Sequence, residues 1–82
     1  MIEKQVGSRI KELRKKLGIS QEELGFRSGV HRTYIASLEV GKRNVSIVTL
    51  EKIVQSLNVS LSEFFNFWGV QWAITSLEKR IL

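Results

Sequence analysis

The sequence predicts an all-α protein with one compact domain of five helices, and its C-terminal tail is a candidate for a sixth. Apolar residues recur three and four positions apart through most of the chain, which places them on one face of each helix. No stretch alternates apolar and polar residues as a half-buried strand does, and proline is absent. A chain of 82 residues is long enough for one small apolar core.

The first helix is predicted in the segment VGSRIKELRKKLG, which begins at Val6. Its apolar face is formed by Val6, Ile10, Leu13 and Leu17. Gly7 costs about 1 kcal/mol relative to alanine inside a helix, so the first turn is expected to fray. Gly18 is expected to end this helix with a left-handed cap.

The second and third helices are short and close together. Ser20 and Glu23 have the spacing of a capping box, in which each residue satisfies a free backbone donor at the start of the helix. Gly29 follows two turns later and can adopt positive φ in a tight turn. The third helix is predicted over His31 to Glu39, with Gly41 after its end. Its inward-facing residues are expected to be Val30, Ile35 and Leu38.

Two further serine caps predict the fourth and fifth helices. Ser46 precedes a helix whose apolar face is Leu50, Ile53, Val54 and Leu57. Ser60 and Glu63 repeat the capping-box pattern and begin a short fifth helix. The tail carries one apolar stripe, formed by Val70, Ile74, Leu77 and Ile81. We therefore expect a domain over residues 1–67 and a tail over residues 68–82 that is either a helix or a dimer element.

The positive charge of the chain is concentrated at one end. Residues 1–44 carry ten Lys or Arg against five Glu, whereas residues 45–82 carry three of each, so the net charge of +5 lies in the first part. This balance favours a polyanionic partner, either nucleic acid or an anionic membrane surface, although a basic solvated face gives the same count.

Several classes of protein are disfavoured by what the sequence lacks. There is no cysteine, which excludes disulfides and thiolate metal sites. His31 is the single histidine, and no residue is spaced with it as a catalytic triad or metal site requires. No apolar run approaches the roughly 18 residues of a membrane span. We therefore expect a cytoplasmic protein that is not an enzyme and needs no cofactor or membrane.

Residues 21–40 have the spacing of a helix-turn-helix, in which two short helices are joined by a tight turn that contains glycine. Gly25 is small enough to let the two helices cross closely, and Gly29 lies in the turn. If Val30 and the apolar residues of the third helix pack inward, the residues left on its outer face are His31, Arg32, Thr33, Tyr34 and Ser37.

From about Val6 to Phe65 the chain resembles the Cro/C1-type, or Xre-like, helix-turn-helix regulators. The segments SQEEL, HRTYIASLE and GKRN are most similar to the controller proteins of restriction-modification systems, although phage, plasmid and antitoxin repressors share much of the pattern. The resemblance implies a dimer that binds a two-fold symmetric operator in double-stranded DNA, with the third helix in the major groove. Two features depart from the family: Gly25 replaces the usual alanine, and the tail beyond Phe67 does not match.

The resemblance also implies a set of DNA contacts. The residues matching base-contact positions are His31, Arg32, Thr33 and Ser37. Those matching backbone-contact positions are Gln21, Arg27, Tyr34, Lys42, Arg43 and Asn44. Arg32 is the strongest candidate, because a guanidinium can donate two hydrogen bonds to guanine. The Tyr34 ring could instead pack towards the first helix, and Glu39 could orient Arg43 or Lys42 or be solvated.

Five of the seven aromatic residues lie within nine positions near the end of the chain. They are Phe64, Phe65, Phe67, Trp68 and Trp72. One small core is not expected to bury them all, and aromatic residues are enriched at protein interfaces, which favours a homodimer interface. The alternatives are packing on the chain's own core, stacking with single-stranded bases, or a module that binds another protein. RNA polymerase is a further candidate partner.

Overall fold

The computed structural model describes residues 2–66 and contains five helices in that part of the chain. The helices are α1 (Ile2–Leu17), α2 (Gln21–Ser28), α3 (Arg32–Glu39), α4 (Ile47–Ser56) and α5 (Leu61–Phe64). Residues 2–66 contain no strand, so the five-helix all-α prediction is confirmed. The proposed sixth helix, the boundary near residue 67 and the aromatic residues Phe67, Trp68 and Trp72 lie outside the described residues.

Serine side chains begin three of the helices at the predicted positions. The hydroxyls of Ser20, Ser46 and Ser60 each accept a hydrogen bond from the backbone N–H three residues later. Such caps each stabilise a helix by about 1 kcal/mol. The capping box at Ser20 is only half formed, because the Glu23 carboxylate accepts from Arg27 Nε at 2.7 Å instead of reaching back.

The start of α1 differs from the sequence prediction. The helix begins at Ile2, and Gly7 lies buried inside it instead of fraying. A Cβ atom on Gly7 would lie 1.9 Å from the Leu38 carbonyl oxygen, well inside contact distance. The expectation of a frayed turn is therefore wrong, since the missing side chain is what allows α1 to cross α3 closely.

The core draws on all five helices, with α1 packed against α3 and α2 packed against both α3 and α4. Its buried apolar residues are Val6, Ile10, Leu13, Leu24, Ile35, Leu38, Leu50, Ile53, Val54, Leu57 and Phe64. All except Leu24 and Phe64 belong to the apolar faces predicted for the first, third and fourth helices. These residues hold the inner face of α3 in place and leave its other face to solvent.

Phe64 was predicted to lie at the dimer interface, but the structure places it in the core. Its side chain is 0% exposed, so it cannot lie on a dimer surface of this fold. Arg9 holds α5 against α1 by donating to the Phe64 and Glu63 carbonyl oxygens at 2.9 and 2.8 Å. Phe65 is half-buried, and its ring meets that of Phe64 edge to face at 5.1 Å between centroids.

Candidate nucleic-acid interface

The turn between α2 and α3 folds tightly back against α2. Gly29 has φ of 72°, and both its N–H and that of Val30 donate to the Gly25 carbonyl oxygen. A Cβ on Gly25 would lie 2.5 Å from the Val30 carbonyl oxygen, which is too close for the backbone to remain where it is. The predicted need for a small residue at position 25 is confirmed, and the turn places the start of α3 rigidly.

The first turn of α3 carries the polar side chains that the sequence pattern singled out. His31, Arg32 and Thr33 are exposed, while Ile35 and Leu38 on the opposite face are buried. Ser37 is half-buried, and its hydroxyl donates to the Thr33 carbonyl oxygen at 3.0 Å. The structure therefore brings three of the four predicted base-contact residues together on one exposed turn, and Ser37 lies one turn further along.

His31 is the N-cap of α3, one residue before the helix begins, and not its first residue as predicted. Its Nδ1 accepts a hydrogen bond from the Thr33 backbone N–H at 3.1 Å. The Thr33 hydroxyl oxygen lies 2.8 Å from the same nitrogen. This contact could not be foreseen from the sequence, because histidine is not among the residues usually expected at N-caps.

Arg32 and Glu22 connect the two helices of the motif on their exposed side. Arg32 Nη1 lies 2.9 Å from Glu22 Oε2, and the two side chains are 63% and 74% exposed. Ion pairs this exposed contribute less than about 1 kcal/mol. The guanidinium is therefore oriented by Glu22 but remains available to a better acceptor.

A second contact connects α3 to the loop that follows it. Tyr34 is half-buried against the core, and its hydroxyl donates to the Asn44 carbonyl oxygen at 3.1 Å. The Arg43 guanidinium lies over the Tyr34 ring, 5.0 Å from its centroid. Lys42, Arg43 and Asn44 are all exposed. The loop thus presents two cations beside the exposed first turn of α3 (residues 31–33, the recognition turn). Tyr34 contacts the loop through Arg43 and Asn44.

Comparison with known proteins supports the motif seen in the structure. A family model described as Helix-turn-helix matches residues 10–64. Control protein C.MunI of a Mycoplasma species is 49% identical over 61 residues, which are 73% of this chain and 82% of that protein. The chain belongs to the Cro/C1-type helix-turn-helix family. The family recognised from the sequence is confirmed.

Solved structures of relatives agree with this helix-turn-helix assignment. The restriction-modification controller protein C.AhdI from Aeromonas hydrophila has a TM-score of 0.74 at 41% identity, covering 77% of this chain and 91% of that one. The controller protein C.Esp1396I, solved as a tetramer with its natural 35 base-pair operator, has a TM-score of 0.76 at 38% identity. That match covers 79% of this chain and 86% of the other.

The helix-turn-helix is braced from behind by a buried ionic network. Arg14 of α1 donates to both Glu39 carboxylate oxygens, from Nε at 2.7 Å and Nη2 at 3.0 Å, and from Nη1 to the Ile19 carbonyl oxygen at 2.9 Å. Gln21 Nε2 donates to Glu39 Oε1 at 3.0 Å. The hydrogen bond with Glu39 raises the pKa of Arg14 above its ordinary value, against an opposing effect of burial. The network joins α1, α2 and the end of α3.

Both roles predicted for Glu39 are therefore wrong. It is neither solvated nor an orienting partner of Arg43 or Lys42, since its side chain is 2% exposed and is occupied by Arg14 and Gln21. One signal could have revealed the pair: Arg14 falls four residues after Ile10, on the apolar face of the first helix. A charge at such a position needs a buried partner.

Arg27 is separate from the recognition turn. It belongs to the last turn of α2 and pairs with Glu23 of the same helix at 2.7 Å.

Lys52 of α4, which was not selected from the sequence, lines an open depression together with His31 and Tyr34. The sequence did not single it out, because residues 45–82 carry no net charge and a net charge does not show which cation lies near α3 in the fold.

The described residues add two further observations. Residues 2–66 hold no group of three or more His, Cys, Asp or Glu side chains placed to bind a metal ion. None of the five helices is both long enough and apolar enough to cross a membrane.

Proposed function

We propose that this chain is a sequence-specific DNA-binding regulator that controls the genes of a restriction-modification system. It binds as a dimer to a two-fold symmetric operator in the cytoplasm, with α2 across the sugar-phosphate backbone and α3 in the major groove. The exposed first turn of α3 carries this proposal, because three polar side chains stand on a helix whose opposite face belongs to the core. Its similarity to control proteins, one of them solved on its operator, supports the same function.

Arg32 is proposed as the main base-reading residue. Its guanidinium stands on the exposed turn and has only the exposed Glu22 carboxylate as its ionic partner among the described residues. Guanine O6 and N7 in the major groove accept two hydrogen bonds from a guanidinium, which contributes about 1–3 kcal/mol of discrimination. We therefore assign guanine recognition to Arg32, with Glu22 keeping the side chain directed along the motif until DNA is bound.

The other selected residues are proposed to complete the contact. His31, Thr33 and Ser37 are the further base-contact residues. The backbone-contact residues are Gln21, Arg27, Tyr34, Lys42, Arg43 and Asn44. Contacts to phosphates set the register and orientation of the protein on DNA, and contacts to base edges select the sequence. The position of Arg43 over Tyr34, beside the recognition turn, fits a phosphate contact next to the groove.

The dimer is proposed to form through the end of the domain. Phe65 is half-buried at the end of α5, and the aromatic residues Phe67, Trp68 and Trp72 follow it in the sequence. Two half-sites related by two-fold symmetry would lie about 34 Å apart, or a multiple of that spacing. An operator that overlaps the promoter gives repression, and one just upstream allows contact with RNA polymerase and activation.

Selection of bound sites from random DNA duplexes tests the proposal. The wild-type chain should enrich a motif with two-fold symmetry. Arg32→Ala should lose the guanine preference at one position of each half-site, because the two hydrogen bonds disappear. Lys15→Ala is the matched control, since Lys15 is an exposed cation on α1 and should leave the motif unchanged. Failure of the wild type to enrich any motif contradicts the function, and an Arg32→Ala motif identical to the wild type contradicts the assignment of Arg32.

A further inference from the structure

The ring of His31 is held in one orientation by Thr33. Nδ1 of the ring accepts the Thr33 backbone N–H at 3.1 Å, and the Thr33 hydroxyl lies 2.8 Å from the same atom. An N–H donor can approach a ring nitrogen in this way only when that nitrogen carries no proton. In the neutral ring the proton must then reside on Nε2.

This arrangement leaves the exposed side of the His31 ring with one hydrogen-bond donor and no acceptor. With Nδ1 occupied by Thr33, the atom left for another molecule is Nε2, and it can only donate. In this tautomer the Thr33 hydroxyl, 2.8 Å from Nδ1, is the donor of that contact and not its acceptor. His31 is thus a fixed donor at the start of the recognition helix, and Thr33 is the residue that positions it.

We propose that His31 is a specificity-determining residue that selects against cytosine at a position of each half-site next to the one read by Arg32. The inference rests on the proposed function, since it assumes that α3 lies in the major groove. Three of the four bases present an acceptor there, N7 in both purines, O6 in guanine and O4 in thymine, whereas cytosine presents the N4 amino group, which donates. An Nε2–H donor therefore fits guanine, adenine or thymine and is opposed by cytosine at the same place.

Arg32 and His31 have separate roles within the exposed first turn of α3. Arg32 reads one base by two hydrogen bonds, and His31 reads a neighbour by one. Thr33 acts through His31, so loss of its hydroxyl should change the preference at the His31 position. A neutral hydrogen bond of about 1 kcal/mol corresponds to a preference of about fivefold at one base.

The state of the ring can be measured directly, because His31 is the only histidine in the chain. Long-range proton–nitrogen NMR of the 15N-labelled protein at pH 8 should show one imidazole, with an unprotonated Nδ1 and a protonated Nε2. Thr33→Val removes the hydroxyl contact but keeps the backbone donor, so Nδ1 should stay unprotonated while the ring loses one of the two contacts that hold its orientation. A protonated Nδ1 in the wild type overturns the proposal.

His31→Asn tests the reading itself. Asparagine is a good N-cap, so its carbonyl oxygen replaces Nδ1 towards the Thr33 N–H, but its amide ends short of the position of Nε2. The urea unfolding midpoint should therefore stay the same. In selected sites, the exclusion of cytosine at one position of each half-site should weaken about fivefold, while the guanine preference that depends on Arg32 is retained.

The outcomes distinguish this inference from the proposed function. If the wild type enriches a motif that depends on Arg32, but His31→Asn selects the same motif with the same strength, then only the role of His31 is wrong. If the wild type enriches no motif, the proposed function fails and the inference fails with it. A weaker exclusion of cytosine in both His31→Asn and Thr33→Val, with unchanged unfolding midpoints, supports the proposal.

Discussion

At the scale of single residues, the buried pair of Arg14 and Glu39 shows how a contact outside the DNA-facing surface supports it. Glu39 ends α3, and its carboxylate is shared by a guanidinium from α1 and an amide from α2. Breaking a buried ion pair leaves an uncompensated charge in the interior, which costs more than the pair itself contributes. The orientation of the recognition helix therefore depends on residues that never need to touch DNA.

Replacing Glu39 by alanine should destabilise the domain by about 3 kcal/mol, because the buried Arg14 charge then loses its ionic partner and keeps only its hydrogen bond to the Ile19 carbonyl oxygen. Gln21→Ala is the control within the same network, and loss of its single hydrogen bond should cost about 1 kcal/mol. Urea unfolding of the two variants measures both values. Equal losses in the two variants would show that the buried charge is not what makes Glu39 important.

The sign of the Arg14 pKa shift adds a condition to this experiment. A raised pKa in the folded state means that the stabilisation is complete at every pH below the ordinary pKa of arginine and is lost only as the pH rises past the folded value. The protonation of Arg14 should therefore make no difference to the effect of Glu39→Ala between about pH 7 and pH 10. A destabilisation that shrinks steadily over this range would contradict the assignment.

At the scale of helices, two close approaches determine how the recognition helix is placed. Gly7 lets α1 lie against the Leu38 carbonyl group, and Gly25 lets the turn fold back on α2. The serine caps and helix-ending glycines that mark helix bounds were predictable, because each acts within a few residues of sequence. The role of Gly7 was not, because its partner is 31 positions away, on another helix.

Gly7→Ala should therefore destabilise the protein, although the same change stabilises an exposed helix by about 1 kcal/mol. The added methyl group forces α1 away from the backbone of α3, and overpacking of this kind costs about 1–3 kcal/mol. Thermal unfolding gives the sign. Ser8→Ala, at the next and exposed position of α1, is the control and should have little effect. A more stable Gly7→Ala variant would show that the two helices can separate without cost.

At the scale of the whole molecule, the uneven charge sets how the chain meets DNA. The net charge of +5 lies in the part that contains α1 to α3 and the loop after α3. Binding of cations to phosphates releases counterions, so affinity falls as salt rises whatever the DNA sequence. A cation that contacts a phosphate should therefore change the salt dependence of binding more than a cation that only adds to the overall electrostatic field.

Arg43→Ala should weaken binding to all DNA sequences by a similar factor. It should also lower the slope of log affinity against log salt by about 0.9 for each phosphate that the variant no longer neutralises. The control is Lys16→Ala, an exposed cation near the end of α1 that should leave the slope nearly unchanged. Titrations with specific and random duplexes at several salt concentrations measure both. A weaker sequence preference without a change in slope would place Arg43 on a base instead.

The sequence by itself determined the five helices of residues 2–66, the helix-turn-helix within them and the exposed set His31, Arg32 and Thr33. These follow from caps, glycine turns and apolar periodicity, which are signals carried by neighbouring residues. The tertiary structure alone decided the burial of Phe64, the partner of Glu39 and the closeness of Gly7 to α3. Each of these depends on a contact between residues at least 25 positions apart or on packing against several helices at once, and neither can be read from local spacing.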